Sequence, residues 1–187
     1  MKQWLLSGAL TAAMLAGCSS IQVDLDYDPA RNFGAYHSYA WLPAATTAES
    51  ETVIRNDLVE ARVVAAVDSA LAGKNLQRAD KASADFLVTY HINVENRTDV
   101  RTIETGFGYR PWWGWNSRFD NETLVQNYKA GTLVLDIIDR KSDKLAWRGS
   151  AETRLRDGLT PQQRDTEVRS IVNTLISNFP PGSALKK

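Results

Sequence analysis

The sequence predicts an α+β fold: a mainly antiparallel sheet with two amphipathic helices packed on one face. Three observations predict it. Several segments alternate apolar and polar residues with the two-residue period of half-buried strands. Two others repeat apolar residues at helical spacing, and each then has a face to bury. In order they read strand, strand, helix, strands, helix, the pattern of a two-layer domain.

The first strand is Ile21 to Tyr27, where Ile21, Val23, Leu25 and Tyr27 point one way and Gln22, Asp24 and Asp26 the other; Asp28-Pro29 stops it. The acids Asp24, Asp26 and Asp28 do not make a calcium loop. Such a loop starting at Asp24 needs glycine at its sixth place and glutamate at its twelfth, where Pro29 and Ala35 stand. A second short strand carries Tyr39 and Trp41 on one face and ends at Pro43, with His37 near its start. Residues 44–50 read as a loop.

Helical spacing begins near Thr52, with Ile54, Leu58, Ala61, Val64, Ala65, Val67 and Leu71 as its apolar stripe and Gly73 as its stop. From Ala84-Asp85 the clearest strand places Phe86, Val88, Tyr90, Ile92 and Val94 on a core face, and Leu87, Thr89, His91, Asn93 and Glu95 on the other. A turn at Asn96-Arg97 is expected to lead into a hairpin partner, Thr98 to Thr105. A short strand is expected from Thr123 to Tyr128. Beyond it, Gly131–Asp139 and Leu145–Glu152 flank a polar turn and form a hairpin, with Leu133, Leu135, Ile137, Leu145, Trp147 and Gly149 on its core face. Asp136 and Asp139 differ in strand parity and make no acid/base pair, while Asp136 is placed to meet Arg148 across the hairpin.

The second helix has the stronger start: Thr160 as cap, Pro161 in the first position and Gln163 closing the capping box. Its stripe is Val168, Ile171, Val172, Leu175, Ile176 and Phe179, each stabilising by ~1.5–3 kcal/mol when fully buried. Pro180-Pro181 ends it.

The N-terminal segment predicts an address. Met1-Lys2-Gln3 is a short basic start, and Trp4 to Ala16 is apolar or small. That run is too short for a bilayer, which takes roughly 20 residues, and has the layout of a secretory leader. Leu15-Ala16-Gly17-Cys18 resembles a bacterial lipobox, cleaved before the only cysteine of the chain. Residues 1–17 are therefore expected to be a cleaved signal peptide, and 18–187 a single domain lipidated at Cys18. Ser19 rather than aspartate after the cysteine resembles the pattern for delivery to the outer membrane, facing the periplasm. Membrane partnership through this anchor follows, because two or more acyl chains hold stably where one is marginal.

Charge excludes other partners. Losing Lys2 leaves 21 basic side chains, down from 22, against 22 acidic ones. No basic block stands out, so nucleic acid is not expected as a partner. No cofactor motif or metal-ligand cluster is present in the sequence. The two N-x-[ST] matches, at Asn96 and Asn121, are chance matches in a bacterial lipoprotein.

Residues 106–115 hold five aromatic side chains, Phe107, Tyr109, Trp112, Trp113 and Trp115, among three glycines and Pro111. Glycine and proline oppose a regular helix or an interior strand here. The rings are a candidate binding surface for an envelope protein, lipid or glycan, since aromatic faces stack on sugars and tryptophan suits membrane interfaces and binding hot spots. The alternative is a loop folded back so that its rings cap an open edge of the core.

Several stretches together resemble a known family. Asp26-Tyr27-Asp28-Pro29, Phe33 and Tyr39-Ala40-Trp41-Leu42-Pro43 after the lipobox, then Ala84 to Tyr90, resemble the DUF4136 family of bacterial lipoproteins. Gly131 to Asp136, Leu145-Ala146-Trp147-Arg148-Gly149 and Phe179-Pro180-Pro181 continue the resemblance. It implies an envelope location and supplies no catalytic residues. The expected function is a non-catalytic binding or envelope-assembly module at the outer membrane. The alternative is an envelope hydrolase acting on peptidoglycan or a related polymer, against which stand only two histidines and the lack of G-x-S-x-G or H-E-x-x-H. A purely structural role, in which a hairpin edge or the loop joins copies or neighbours, is a third expectation. Labelled palmitate should enter the wild-type protein in cells and fail to enter Cys18→Ser; equal labelling of both defeats the lipoprotein expectation.

Overall fold

The computed structural model describes residues 21–42, 57–104 and 121–181. Six strands and two helices follow in the order β1 (Gln22–Tyr27), β2 (Ser38–Trp41), α1 (Asp57–Ala72), β3 (Gln77–Arg78), β4 (Phe86–Glu104), β5 (Asn121–Asp139), β6 (Lys144–Arg154) and α2 (Pro161–Ser177). A 3-10 turn, Phe33–Ala35, lies between β1 and β2. The strands form one sheet in the order β1-β6-β5-β4-β2-β3.

The class is α+β as expected, but the sheet is mixed rather than mainly antiparallel. β1 with β6, β6 with β5, and β5 with β4 are antiparallel, whereas β2 is parallel to both β4 and β3. The cause is α1. A helix that follows β2 carries the chain back to the end of the sheet where β2 began, and the next strands then start from that end and lie parallel to β2.

The central strands also differ from expectation. No turn forms at Asn96-Arg97: both residues lie in the ladder, opposite Lys129 and Tyr128. β4 runs unbroken for 19 residues, and the two strands expected between Thr123 and Asp139 are one strand of 19 residues. Polar residues at 96–99 mark the change from buried to exposed ladder, and the chain does not reverse there. β6 reaches β5 only as far as Ala130, and β2 reaches β4 only as far as Val88. Beyond Glu95 and Ala130 the pair β4–β5 continues as a two-stranded ribbon to Glu104 and Asn121, with no third strand among the described residues.

The core face is the alternate set Phe86, Val88 and Tyr90 of β4, Leu133, Leu135 and Ile137 of β5, and Trp147 and Ala151 of β6. Val63, Ala66, Val67 and Leu71 of α1, and Val172, Leu175 and Ile176 of α2, enter this same cluster. The stripe of α1 is turned from the expected one. Leu58 is 65% exposed, and Val63 and Ala66 replace Ala61 and Ala65 as its buried residues. The start of the expected helix, 52–56, lies outside the described residues. α2 has the predicted capping box: the Gln163 backbone N–H donates to Thr160 Oγ1 at 3.3 Å, and the Thr160 N–H donates to Gln163 Oε1 at 2.8 Å.

Leu145 leaves the core face assigned to it. The β5–β6 register shifts at Ile137/Ile138, so that Leu145 pairs with Ile138 and is 42% exposed, while Ala146 is buried. At the sheet edge, Leu25 and Tyr27 point to the core side, opposite Gly149 and Trp147, but remain exposed for lack of a strand beyond β1 among the described residues.

The aromatic residues of the core meet at one place. Phe179, just past α2, packs edge-on against Phe33 at 5.8 Å and Trp147 at 5.5 Å, and lies 5.8 Å from Phe86. Phe86 also lies against Tyr36 and Tyr39. Trp147 is fully buried, and its ring lies over Gly149; a Cβ there would fall 2.9 Å from Trp147 Cζ2 and closer still to Cη2. A rigid indole in a closed core cannot give way, so Gly149→Ala is expected to destabilise by about 1–3 kcal/mol. Urea unfolding should show a lower midpoint with an unchanged slope.

Candidate functional site

Residues of opposite parity to the core set put a polar row across the sheet: Thr89, Asp136, Arg148 and Asp26, from β4 to β1. Arg148 grips Asp136 with both arms of its fork, Nε to Oδ1 at 2.6 Å and Nη2 to Oδ2 at 2.7 Å. This is the pair expected across the hairpin, and the fork matches the carboxylate plane. His91 Nε2 stands 3.8 Å from Asp136 Oδ2. Each carboxylate oxygen of Asp136 is thus engaged by the guanidinium, which holds it as an acceptor in a fixed pair.

The second buried carboxylate, Asp139, faces other partners. The hydroxyl of Tyr36 donates to its Oδ2 at 2.9 Å; the backbone N–H and hydroxyl of Ser142 donate to Oδ1 at 2.8 and 2.7 Å; Arg31 Nη1 lies 3.4 Å away. Burial alone opposes its charge, but the hydrogen bonds from Ser142 and Tyr36 and the charge of Arg31 outweigh that and hold its pKa below the ordinary carboxylate value. Burial, then the bond to Asp139, pushes the Tyr36 phenol up. The contact joins residues 103 positions apart and ties the segment after β1 to the end of β5.

Two further carboxylates tie elements together. Asp68 of α1 accepts from the Tyr39 hydroxyl at 2.7 Å and Trp41 Nε1 at 2.8 Å on one oxygen, and from Arg78 at 3.1 Å on the other. Asp85 Oδ2 accepts from the backbone N–H of His37 and from the N–H and hydroxyl of Ser38. The His37 N–H, with the Ser38 bonds, outweighs a small burial cost and lowers the Asp85 pKa. Sequence patterning missed these ties. A single acid on the polar side of a helix, or before a strand, carries no local sign of its distant donor.

No group of three or more His, Cys, Asp or Glu residues placed to hold a metal occurs among the described residues. A shallow groove between the start of β1 and the first turns of α2 is lined by Ile21, Ile171, Arg156 and Glu167, the last two paired at 3.5 Å. No helix among the described residues is long and apolar enough to cross a membrane.

The lipidation residue Cys18 and the candidate surface Phe107, Tyr109, Trp112, Trp113 and Trp115 lie outside the described residues. What is described is their setting in the chain: residues 105–120 connect Glu104 and Asn121, the paired far ends of the β4–β5 ribbon. On one side of that ribbon Arg97 meets Glu152 at 2.8 Å and Glu95 at 3.6 Å, and Arg154 lies 3.8 Å from Asp99 and 4.0 Å over the Tyr128 ring.

A family model described as "Domain of unknown function (DUF4136)" matches residues 23–181. The chain belongs to this family. The family's resemblances noted above fall on the structure as packing positions: Phe33, Tyr39, Phe86, Trp147 and Phe179 share the core cluster. No curated protein matches the chain. Among solved structures the chain is similar to a PDZ domain protein from Parabacteroides distasonis, with a TM-score of 0.53 and 16% identity over 86% of this chain. The chain spans 36% of that protein's length. It is also similar to PelC, a dodecamer from Paraburkholderia phytofirmans, with a TM-score of 0.48 and 11% identity, covering 84% of this chain and 96% of that one. At 16% identity the likeness to the PDZ domain protein is one of fold.

The depressed pKa of Asp139 sets a pH dependence. Its contribution to stability is present above the unfolded value of ~3.9 and is lost as pH falls through the lower folded value. Tyr36→Phe removes one hydrogen bond to a charged acceptor and should cost about 1.5–3 kcal/mol at neutral pH. In urea titrations the gap from wild type should stay constant down to about pH 4 and narrow below it.

Proposed function

We propose that the chain is a lipoprotein held in the outer membrane through acylated Cys18, its domain facing the periplasm and serving as a non-catalytic binding or assembly module. Its partner is an envelope protein, lipid or glycan, and its contact residues are Phe107, Tyr109, Trp112, Trp113 and Trp115. The observation that carries this is the ribbon. Among the described residues β4 and β5 stay paired well past the last strand beside them, and the aromatic segment is the connection between their far ends. Such a pair gains little from core burial and is the kind of element that carries a contact surface away from a body.

The non-catalytic part of the reading is supported by the buried carboxylates. Asp136 is clamped by Arg148 and Asp139 by Tyr36, Ser142 and Arg31, so the donors around each acid serve to fix the fold. We read the two helices as one layer over the core face of the sheet, because their apolar residues join a single cluster with the alternate strand residues. A lipid tether raises the effective concentration of the domain for neighbours at the same surface, so individually weak contacts suffice.

Replacing Trp112, Trp113 and Trp115 together by alanine should abolish recovery of crosslinked envelope partners from intact cells without lowering the melting temperature. A lower melting temperature with unchanged recovery would assign the rings to a self-packed loop instead.

A further inference from the structure

β1 begins at Gln22, which lies level with Glu152, Thr132 and Asn93 across the sheet. β1 is antiparallel to β6, β6 to β5, and β5 to β4. The direction in which β4 leaves the body is therefore the direction from which β1 enters it. The ribbon and the chain leading back to Cys18 depart from the same end of the sheet.

Lengths sharpen this. Cys18 is four residues before Gln22, a reach of at most ~14 Å. From Asn93 to Glu104, β4 covers ~37 Å at ~3.4 Å per residue. Neighbouring strands rotate by ~20–25°, so the three steps from β1 to β4 turn the ribbon by ~60–75°. Along the axis of β1 the ribbon then advances only ~10–18 Å, with the rest of its length running sideways. That advance matches the reach of the tether. A ribbon so placed runs obliquely over a bilayer at the level of Cys18, neither standing clear of it nor piercing it.

The two sides of the ribbon differ. One bears Glu95, Arg97, Asp99 and Tyr128, joined to one another or to Glu152 and Arg154 of β6 by ion pairs and the cation–π contact. The other continues the parity of Tyr90 and Leu133. It carries Asn96 opposite Lys129, then Thr98 hydrogen-bonded to Asn127 at 2.8 Å, then Val100 opposite Val125. Val100 and Val125 are 60% and 62% exposed, an apolar cross-strand pair outside the core. Charges that neutralise one another suit water, whereas a row whose described side chains are Asn96, Thr98, Asn127, Val100 and Val125, with Lys129 as its one charge, suits the headgroup zone of an anionic bilayer.

We propose that the outer half of the β4–β5 ribbon is a membrane contact, its Val100–Val125 side resting on the bilayer that holds Cys18 and its charged side turned to the periplasm. This rests on the lipid-anchor reading above. It names the bilayer as the partner of the ribbon and gives the domain a fixed tilt against the membrane.

The test uses the full-length acylated protein in vesicles of phosphatidylethanolamine with a minority of phosphatidylglycerol. Val100→Cys, Val125→Cys and Lys141→Cys are each labelled with an environment-sensitive fluorophore; acylation of Cys18 leaves the new thiol as the labelling site. Lys141 is exposed in the β5–β6 turn, at the opposite end of the sheet. The labels at 100 and 125 should shift to the blue on reconstitution. Nitroxide lipids should quench them several-fold more than the label at 141. Equal quenching at all three positions, in protein that carries palmitate and floats with the vesicles, overturns the membrane contact and leaves the anchor standing. A blue shift at 100 and 125 that nitroxide lipids do not quench, with crosslinks to a second copy, assigns the face to a protein and overturns it too. Protein that takes up no palmitate and does not float overturns the anchor reading, and the contact with it.

Discussion

The pairing of β4 with β5 is the constraint on which the rest of the molecule depends. Each strand is 19 residues long, and the two are in register from Phe86 opposite Asp139 to Glu104 opposite Asn121. Over the inner half, alternate residues supply much of the core, and both strands have further neighbours in the sheet. Over the outer half the hydrogen-bond ladder continues after the neighbours have ended. A two-stranded pair is marginal in water by itself, so the ribbon draws its order from the inner half to which it is covalently continuous. Body and arm are one element, and a change of register in the core would displace the far ends together with it.

The body is closed by rings. Phe33 arrives from the segment after β1, Phe86 from β4, Trp147 from β6 and Phe179 from the chain after α2; Phe179 meets Phe33 and Trp147 edge-to-face and Phe86 at a tilt. Such pairs stabilise by about 0.5–1.5 kcal/mol beyond the area they bury. They come from widely separated parts of the chain, so closing the cluster brings the segment after β1 and the end of α2 onto the same part of the sheet. Gly149 belongs to this arrangement because the indole of Trp147 occupies the space where a side chain would stand. The residues by which the family is recognised are thus largely the residues that close the core. Membership in the family consequently speaks to fold before it speaks to function.

Polar ties do what the rings cannot. Asp139 fastens the loop bearing Tyr36, Asp85 fastens the start of β2, and Asp68 fastens α1 to Tyr39 and Trp41. Each carboxylate accepts from two or more donors, which offsets the loss of its hydration. The partners of these buried or half-buried acids are backbone amides, phenols, hydroxyls, an indole N–H and guanidinium groups, most of them drawn from distant parts of the chain.

The capping box of α2, its apolar stripe, the core faces of the inner strands apart from Leu145, and the Asp136–Arg148 pair were legible in the sequence. Each depends on residues close in the chain or on a period that a single strand or helix imposes. The resemblance to the family was also legible, since it lies in short ordered stretches. Tertiary structure decided what depends on distant neighbours. The parallel placement of β2 follows from where the chain returns after α1. The buried face of α1 is set by the core that it meets, which turns Leu58 outward although its spacing fits a stripe. Asn96-Arg97 lies in a continuing strand because β5 remains alongside to pair with it, a fact that no local preference contains. The ribbon is therefore a product of tertiary pairing, and so is the direction in which β4 and β5 extend past the other described strands.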